Sequence, residues 1–221
     1  MQSLKDLIPK DKADTSTAKK LMGHNFEELK PIIPQLLEWI QDMNWPVAGP
    51  VSRYLESISE HLTPYIIEIL RGDDSTWKYW CLIVFGRSKQ IDPVLFQEIQ
   101  RLKDYASKMD IEEGVLEVVN EILQKIITKD LVDIIKQAKS KITEDSDMAW
   151  THYDTAKQLR DELESYIRDL QNGDTSSLEK VKLLFLPTAT LQEHSIYNGW
   201  PDEYLTLAEK FDNLYSMINR S

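Results

Sequence analysis

The chain of 221 residues has a single cysteine, Cys81, so no disulfide can form within it. Cys81 lies in the run Trp80-Cys81-Leu82-Ile83-Val84-Phe85, where a thiol reads as a small buried core group rather than a reactive nucleophile. Glycine is also scarce, at seven residues. That leaves little material for β-hairpin turns, and no Walker loop, dinucleotide fingerprint or GxSxG string occurs. The four histidines, His24, His61, His152 and His194, share no ligand spacing with one another or with the cysteine, so neither metal nor cofactor is expected. Long apolar runs are missing too. The most apolar stretch, from Trp80 to Phe85, spans six residues, against the roughly 20 needed to cross a bilayer. The opening Met1-Gln2-Ser3-Leu4-Lys5-Asp6 meets charge before any apolar segment and offers no signal-peptide core. A cytoplasmic location is expected.

Positive charge is the last shortage. With 26 basic against 37 acidic residues the formal net charge is -11. Nucleic acid and anionic membranes both require cationic surfaces, so neither is expected as a direct partner. A HEAT-like DNA glycosylase is disfavoured on the same ground, since its concave face must be basic. What the charge favours is solubility, or a basic protein reached by electrostatic steering.

What the chain does have is helical periodicity. Asp14-Thr15-Ser16-Thr17 offers N-caps to a short helix carrying Ala18, Leu21 and Met22 inward and stopped at Gly23. From Phe26 to about Gln41, Leu29, Ile32, Ile33, Leu36, Leu37 and Ile40 recur at three- and four-residue intervals. A helix with Val47, Val51, Tyr54, Leu55 and Ile58 inward follows Asn44-Trp45-Pro46. Leu29-Lys30-Pro31-Ile32-Ile33 and Leu62-Thr63-Pro64-Tyr65-Ile66 start the same pattern, Leu-x-Pro-x-Ile-x-x-Ile/Leu-Leu, 33 residues apart. A helical pair repeating at that distance, with proline opening its second helix, is what a HEAT-like solenoid presents. A third pair is expected from Asp73-Asp74-Ser75, carrying Trp77, Trp80, Val84 and Phe85, with a partner opening at Pro93. Two further faces follow, Val115 to Ile126 and Leu131 to Ala138.

Composition then shifts. Ser140 to Asp147 is polar and acidic and reads as a hinge or linker. From Glu144 to Ser221 there are 15 acidic and 7 basic residues, a net of -8, against -3 for the preceding 143. A long helix is predicted from about Met148 to Asn172, a second through Leu178, Val181, Leu184 and Phe185, a short one from Thr190, and a last one opening at Pro201-Asp202-Glu203. No alternating strand pattern is visible. The expected fold is all-α, a HEAT/ARM-like helical-repeat solenoid over residues 1–139 followed by an acidic helical bundle over 140–221, packed against the first or continuing one superhelix.

No catalytic constellation emerges. Asp154, Asp161 and Glu164 recur along one predicted helix and could serve acid–base chemistry or a metal, but Lys157, Arg160 and Arg168 between them mark a solvated face. The more useful reading is a partner-binding strip of Asp145, Asp147, Asp154, Asp161 and Glu164. Of six tryptophans most are expected in the core, with Trp45 and Trp77, beside turns, as candidates for an exposed binding surface.

Two resemblances rest on these residues. The strings Leu7-Ile8-Pro9-Lys10-Asp11-Lys12 and Gln41-Asp42-Met43-Asn44-Trp45-Pro46-Val47-Ala48, with Leu70 to Asp74 and Trp77 to Trp80, resemble a bacterial HEAT-like domain family of unknown function over about the first 110 residues. The stretch Leu184 to Glu193, followed by Asn198-Gly199-Trp200 and Glu203-Tyr204-Leu205, looks like small helical proteins encoded beside bacterial toxins. Together they imply a non-enzymatic immunity protein of a contact-dependent or polymorphic toxin system. Its partner would be a basic nuclease, a ribonuclease before a deoxyribonuclease, and no small-molecule substrate is expected. The rival reading is a helical-repeat adaptor with no toxin partner.

Overall fold

The computed structural model of the chain describes residues 3–86 and 91–218. All regular structure among them is helical, with no strand, so the protein is all-α. No described helix is long and apolar enough to cross a membrane. The chain divides into two compact units, residues 1–123 and 124–221.

In the first unit, α1 (Thr15–Lys20) is capped by Asp14, whose carboxylate accepts from the Thr17 amide. Leu21 and Ala18 are buried as expected, but Met22 is exposed, because a 3-10 turn over Leu21–Gly23 rotates it off the inward face. The Phe26–Gln41 segment is not one helix. It is α2 (Phe26–Leu29) and α3 (Ile33–Leu37) with 3-10 turns over Lys30–Ile32 and Glu38–Ile40. Pro31 and Pro34 each remove an amide donor, and the ladder breaks where they fall. The apolar face survives the breaks, with Leu29, Ile33, Leu36, Leu37 and Ile40 all buried.

Then come α4 (Ala48–Ser57) and α5 (Thr63–Arg71), which buries Ile66, Ile69 and Leu70. Equivalent positions of the two Leu-x-Pro strings are therefore buried in both copies. The helix α6 (Ser75–Phe85) departs from its predicted orientation. Its buried face is Ser75, Lys78, Cys81, Leu82 and Phe85, whereas Trp77, Trp80 and Val84 are half-buried. The reason lies on α8 (Lys108–Glu112), reached through α7 (Pro93–Tyr105): Asp110 is buried there and draws Lys78 inward.

The Lys78 ammonium lies 2.9 and 3.1 Å from the two Asp110 carboxylate oxygens, and the Ser75 hydroxyl donates to one of them at 2.7 Å. Burial pushes the Asp110 carboxyl up, but the Ser107 amide, Lys78 and Ser75 outweigh it and hold the group at about 2. A second buried carboxylate, Glu98 on α7, is held by Arg71 from α5 and Arg101 from its own helix. Burial opposes ionisation there too, and the two guanidinium groups reverse it, so its value falls below the ordinary range. Cys81 is wholly buried, and burial pushes its thiol well above the usual range, which suits a core residue.

The two faces read over Val115–Ala138 belong to one helix, α9 (Val115–Ser140). The boundary between units falls inside it, at Leu123 and Gln124. The second unit continues with α10 (Ala156–Gln171), α11 (Leu178–Leu184), α12 (Thr190–Tyr197) and α13 (Pro201–Ile218). The predicted start at Met148 is eight residues early. Thr155 is the N-cap, in a capping box with Gln158, and residues 148–155 form turns instead.

An aromatic column centres this unit. Phe185 stacks on Phe211 at 4.6 Å between ring centroids and on Tyr204 at 6.3 Å, and the Tyr204 hydroxyl donates to the Phe185 carbonyl at 2.8 Å. Gly199, at φ +77°, reverses the chain after α12. The Trp200 amide thereby reaches the Ser195 carbonyl at 2.9 Å, and the Trp200 ring enters the core.

Candidate partner-binding surface

The segment between α9 and α10, read from sequence as a linker, is tied down along its length. Ile142 is buried beneath it. The Asp147 amide donates to Asn198 Oδ1 at 2.7 Å, and Asn198 Nδ2 donates back to the Asp147 carbonyl at 2.9 Å. The same Nδ2 donates to the His194 carbonyl at 2.8 Å, which anchors the clamp to α12. Further along, the Tyr153 hydroxyl donates to Glu162 at 2.9 Å, and Tyr166 donates to the other oxygen of the same carboxylate. Burial raises both phenols above their ordinary value, and the Glu162 charge adds to the effect.

This anchored segment presents an aromatic pair to solvent. Trp150 stacks on Tyr197 of α12, with centroids 5.8 Å apart and an interplanar angle of 15°. Trp150 remains 64% exposed, Tyr197 48% and the neighbouring Ile196 51%. Large aromatics left this open, on backbone held by side-chain bonds, have the make-up of an interface anchor.

The five carboxylates expected to form one strip divide into two sets. Asp145, Asp147 and Asp154 lie on the anchored segment, all exposed. Asp145 and Asp154 have no ion pair among the described residues, and the Asp147 carboxylate accepts only the Ala149 amide, at 2.9 Å. Asp161 and Glu164 lie on α10, where Lys157 and Lys139 respectively pair with them. Each lysine holds its partner's carboxyl below the ordinary range, chiefly through the hydrogen bond it donates. That face of α10 borders a mixed-charge groove of about 450 Å³, lined also by Arg160, Glu144, Thr155 and Ala156. The carboxylates without a lysine partner among the described residues thus belong to the segment that carries Trp150, and those of α10 are paired.

Behind the aromatic pair, His194 is fully buried, and its Nδ1 accepts from the Trp200 indole at 3.1 Å. That bond places the ring proton on Nε2. Burial lowers the His194 value, and the Asp147 charge pulls weakly the other way. Among the described residues, no three His, Cys, Asp or Glu side chains gather in a group able to hold a metal ion.

Of the tryptophans singled out for a binding surface, Trp45 and Trp77 are both half-buried. The Lys12 ammonium lies 4.1 Å over the Trp45 ring, and Trp39 meets the same ring edge-on at 6.1 Å. Trp77 buries its indole nitrogen with no hydrogen-bond partner among the described residues. Sequence reasoning missed Trp150 and Tyr197. The available signal was local: Trp150 stands among polar residues in Asp147-Met148-Ala149-Trp150-Thr151-His152, and of the positions three and four residues away only Tyr153 could share a buried face.

The Lys12–Trp45 contact also explains why two strings of the first unit go together. The Val47 amide donates to the Lys12 carbonyl at 3.0 Å, so Leu7-to-Lys12 and Gln41-to-Ala48 are two sides of one packed joint. A comparison with curated proteins finds no match. A family model described as Domain of unknown function (DUF5071) matches residues 7–123, ending at the last residue of the first unit. Over that region, more than half of its length, the chain belongs to the DUF5071 family.

Proposed function

We propose that this protein acts by binding rather than by catalysis, and that it neutralises a basic bacterial toxin as an immunity protein. The observation that carries the reading is the solvent-facing Trp150–Tyr197 stack, its tryptophan on the segment that also carries the exposed carboxylates Asp145 and Asp147, neither in an ion pair among the described residues. A nuclease attracts its polyanionic substrate with basic residues, and an acidic surface with an aromatic anchor competes for that same field. A ribonuclease is favoured over a deoxyribonuclease, with inhibition by covering the active site. The resemblance of Leu184–Glu193 and the residues after it to toxin-linked helical proteins supports the same reading.

In this reading the first unit supplies shape. The matched burial of Leu29, Ile33, Leu36 and Leu37 with Leu62, Ile66, Ile69 and Leu70 supports a HEAT-like repeat there. The test begins with the genes flanking this one: a large secreted protein with a nuclease-like C-terminus is expected. Co-expressing that C-terminus with this chain should restore growth and give a complex on a sizing column that weakens as salt rises. Absence of rescue together with absence of a complex sinks the immunity reading. A complex insensitive to salt points to the adaptor instead.

A further inference from the structure

We infer that the Trp150–Tyr197 stack is an arginine platform, and that the partner element seated on it is a basic loop presenting an arginine side chain. The inference rests on the binding role proposed above and names the chemistry of the contact.

Three features select that occupant. First, Tyr197 covers one face of the Trp150 indole, and the residue is still 64% exposed, so the opposite face is open. An open indole face bears the negative end of the ring quadrupole and attracts a cation, tryptophan most strongly of the aromatic side chains. Second, Asp145 lies five residues before Trp150 on the same anchored segment, exposed, and neither it nor Asp147 has an ion pair among the described residues. A guanidinium stacks flat on an indole while its edge donates to a carboxylate. An ammonium has no plane to stack and holds its hydration more tightly. Third, the platform is pre-organised. Asn198 clamps the Asp147 backbone to α12, and Tyr197 is the residue next to Asn198. Little ordering entropy therefore remains to be lost on binding.

Other occupants fit less well. The carboxylates and the net charge of -8 from Glu144 onward repel an acidic partner and an anionic membrane alike. A purely apolar partner would have to desolvate Asp145 and Asp147 without pairing them.

The experiment uses the full chain and two synthetic peptides of equal length and charge, one alternating glycine with arginine and the other glycine with lysine. Binding is followed by the Trp150 indole N–H resonance in two-dimensional NMR, assigned by its loss in Trp150→Ala. The arginine peptide should shift that resonance and bind about tenfold more tightly than the lysine peptide. Trp150→Ala should abolish the preference, and Asp145→Asn with Asp147→Asn should weaken both peptides. Equal affinity for the two peptides, an unmoved Trp150 resonance, or perturbation of Trp150 by zwitterionic lipid vesicles instead would overturn the inference. Tyr197→Ala provides a second variant should Trp150→Ala fail to fold, and it should reduce the preference in the same direction. Failure here is distinguishable from failure of the immunity reading. Growth rescue that persists in Trp150→Ala overturns the platform and leaves immunity standing. Arginine selectivity without any toxin rescue does the reverse.

Discussion

The two units differ in where they bury charge. In the first, beside exposed pairs such as Lys108–Glu112, two buried carboxylates are paired across helices, Asp110 with Lys78 and Glu98 with Arg71. In the second, the described ion pairs are at least partly exposed and aromatic rings fill the centre, with one further aromatic pair turned to solvent. Removing one member of a buried pair leaves an uncompensated charge in the interior. Exposed carboxylates add little to stability and remain available to a partner. The first unit thus buries ionised carboxylates with their counter-ions, and the second fills its centre with aromatic rings.

The sharpest break in that contrast should come from Asp110→Asn. It leaves the Lys78 charge buried without its counter-ion and should destabilise the first unit by about 3–5 kcal/mol, measured by denaturant unfolding. Next in size is Gly86→Ala, also in the first unit. A Cβ there would lie 2.1 Å from Ile122 Cδ1 and 2.6 Å from the Leu82 carbonyl oxygen. Forced repacking should cost about 1–3 kcal/mol, and a stability unchanged from the parent would show that Ile122 has room to turn.

The second unit should respond instead to mild acid. Burial holds His194 below its ordinary 6.5. A group with a lowered folded value binds protons more readily when unfolded, so its contribution is fully present above about pH 6.5 and is lost as pH falls toward the folded value. Thermal unfolding should therefore show a Tm that falls as the pH drops below about 6.5. His194→Gln should flatten that slope. A slope that survives the substitution assigns it to other groups.

The smallest effect is expected at Trp150→Ala. A side chain this exposed should shift stability by no more than about 0.5 kcal/mol, while removing the arginine selectivity. A large loss of stability would instead make the stack a structural element of the second unit and end the comparison.

Much of this was legible in the sequence. Leu29, Ile33, Leu36 and Leu37 recur at helical intervals, and Asp14, Asp74 and Asp92 stand where helices begin, because periodicity and capping act over a single turn. The scarcity of glycine pointed away from β-hairpin folds because it is a bulk property. The tertiary structure decided what depends on residues distant along the chain. Lys78 faces inward because Asp110 lies behind it, 32 residues away. Asp161 and Glu164 are paired by lysines rather than free, one of them 25 residues distant. Trp150 is a solvent-facing platform because Asn198, 51 residues beyond Asp147, ties the loop down and leaves Tyr197 beneath the indole ring. Local spacing fixes which face of a helix is apolar. Only long-range packing decides which polar and aromatic groups are left over for a partner.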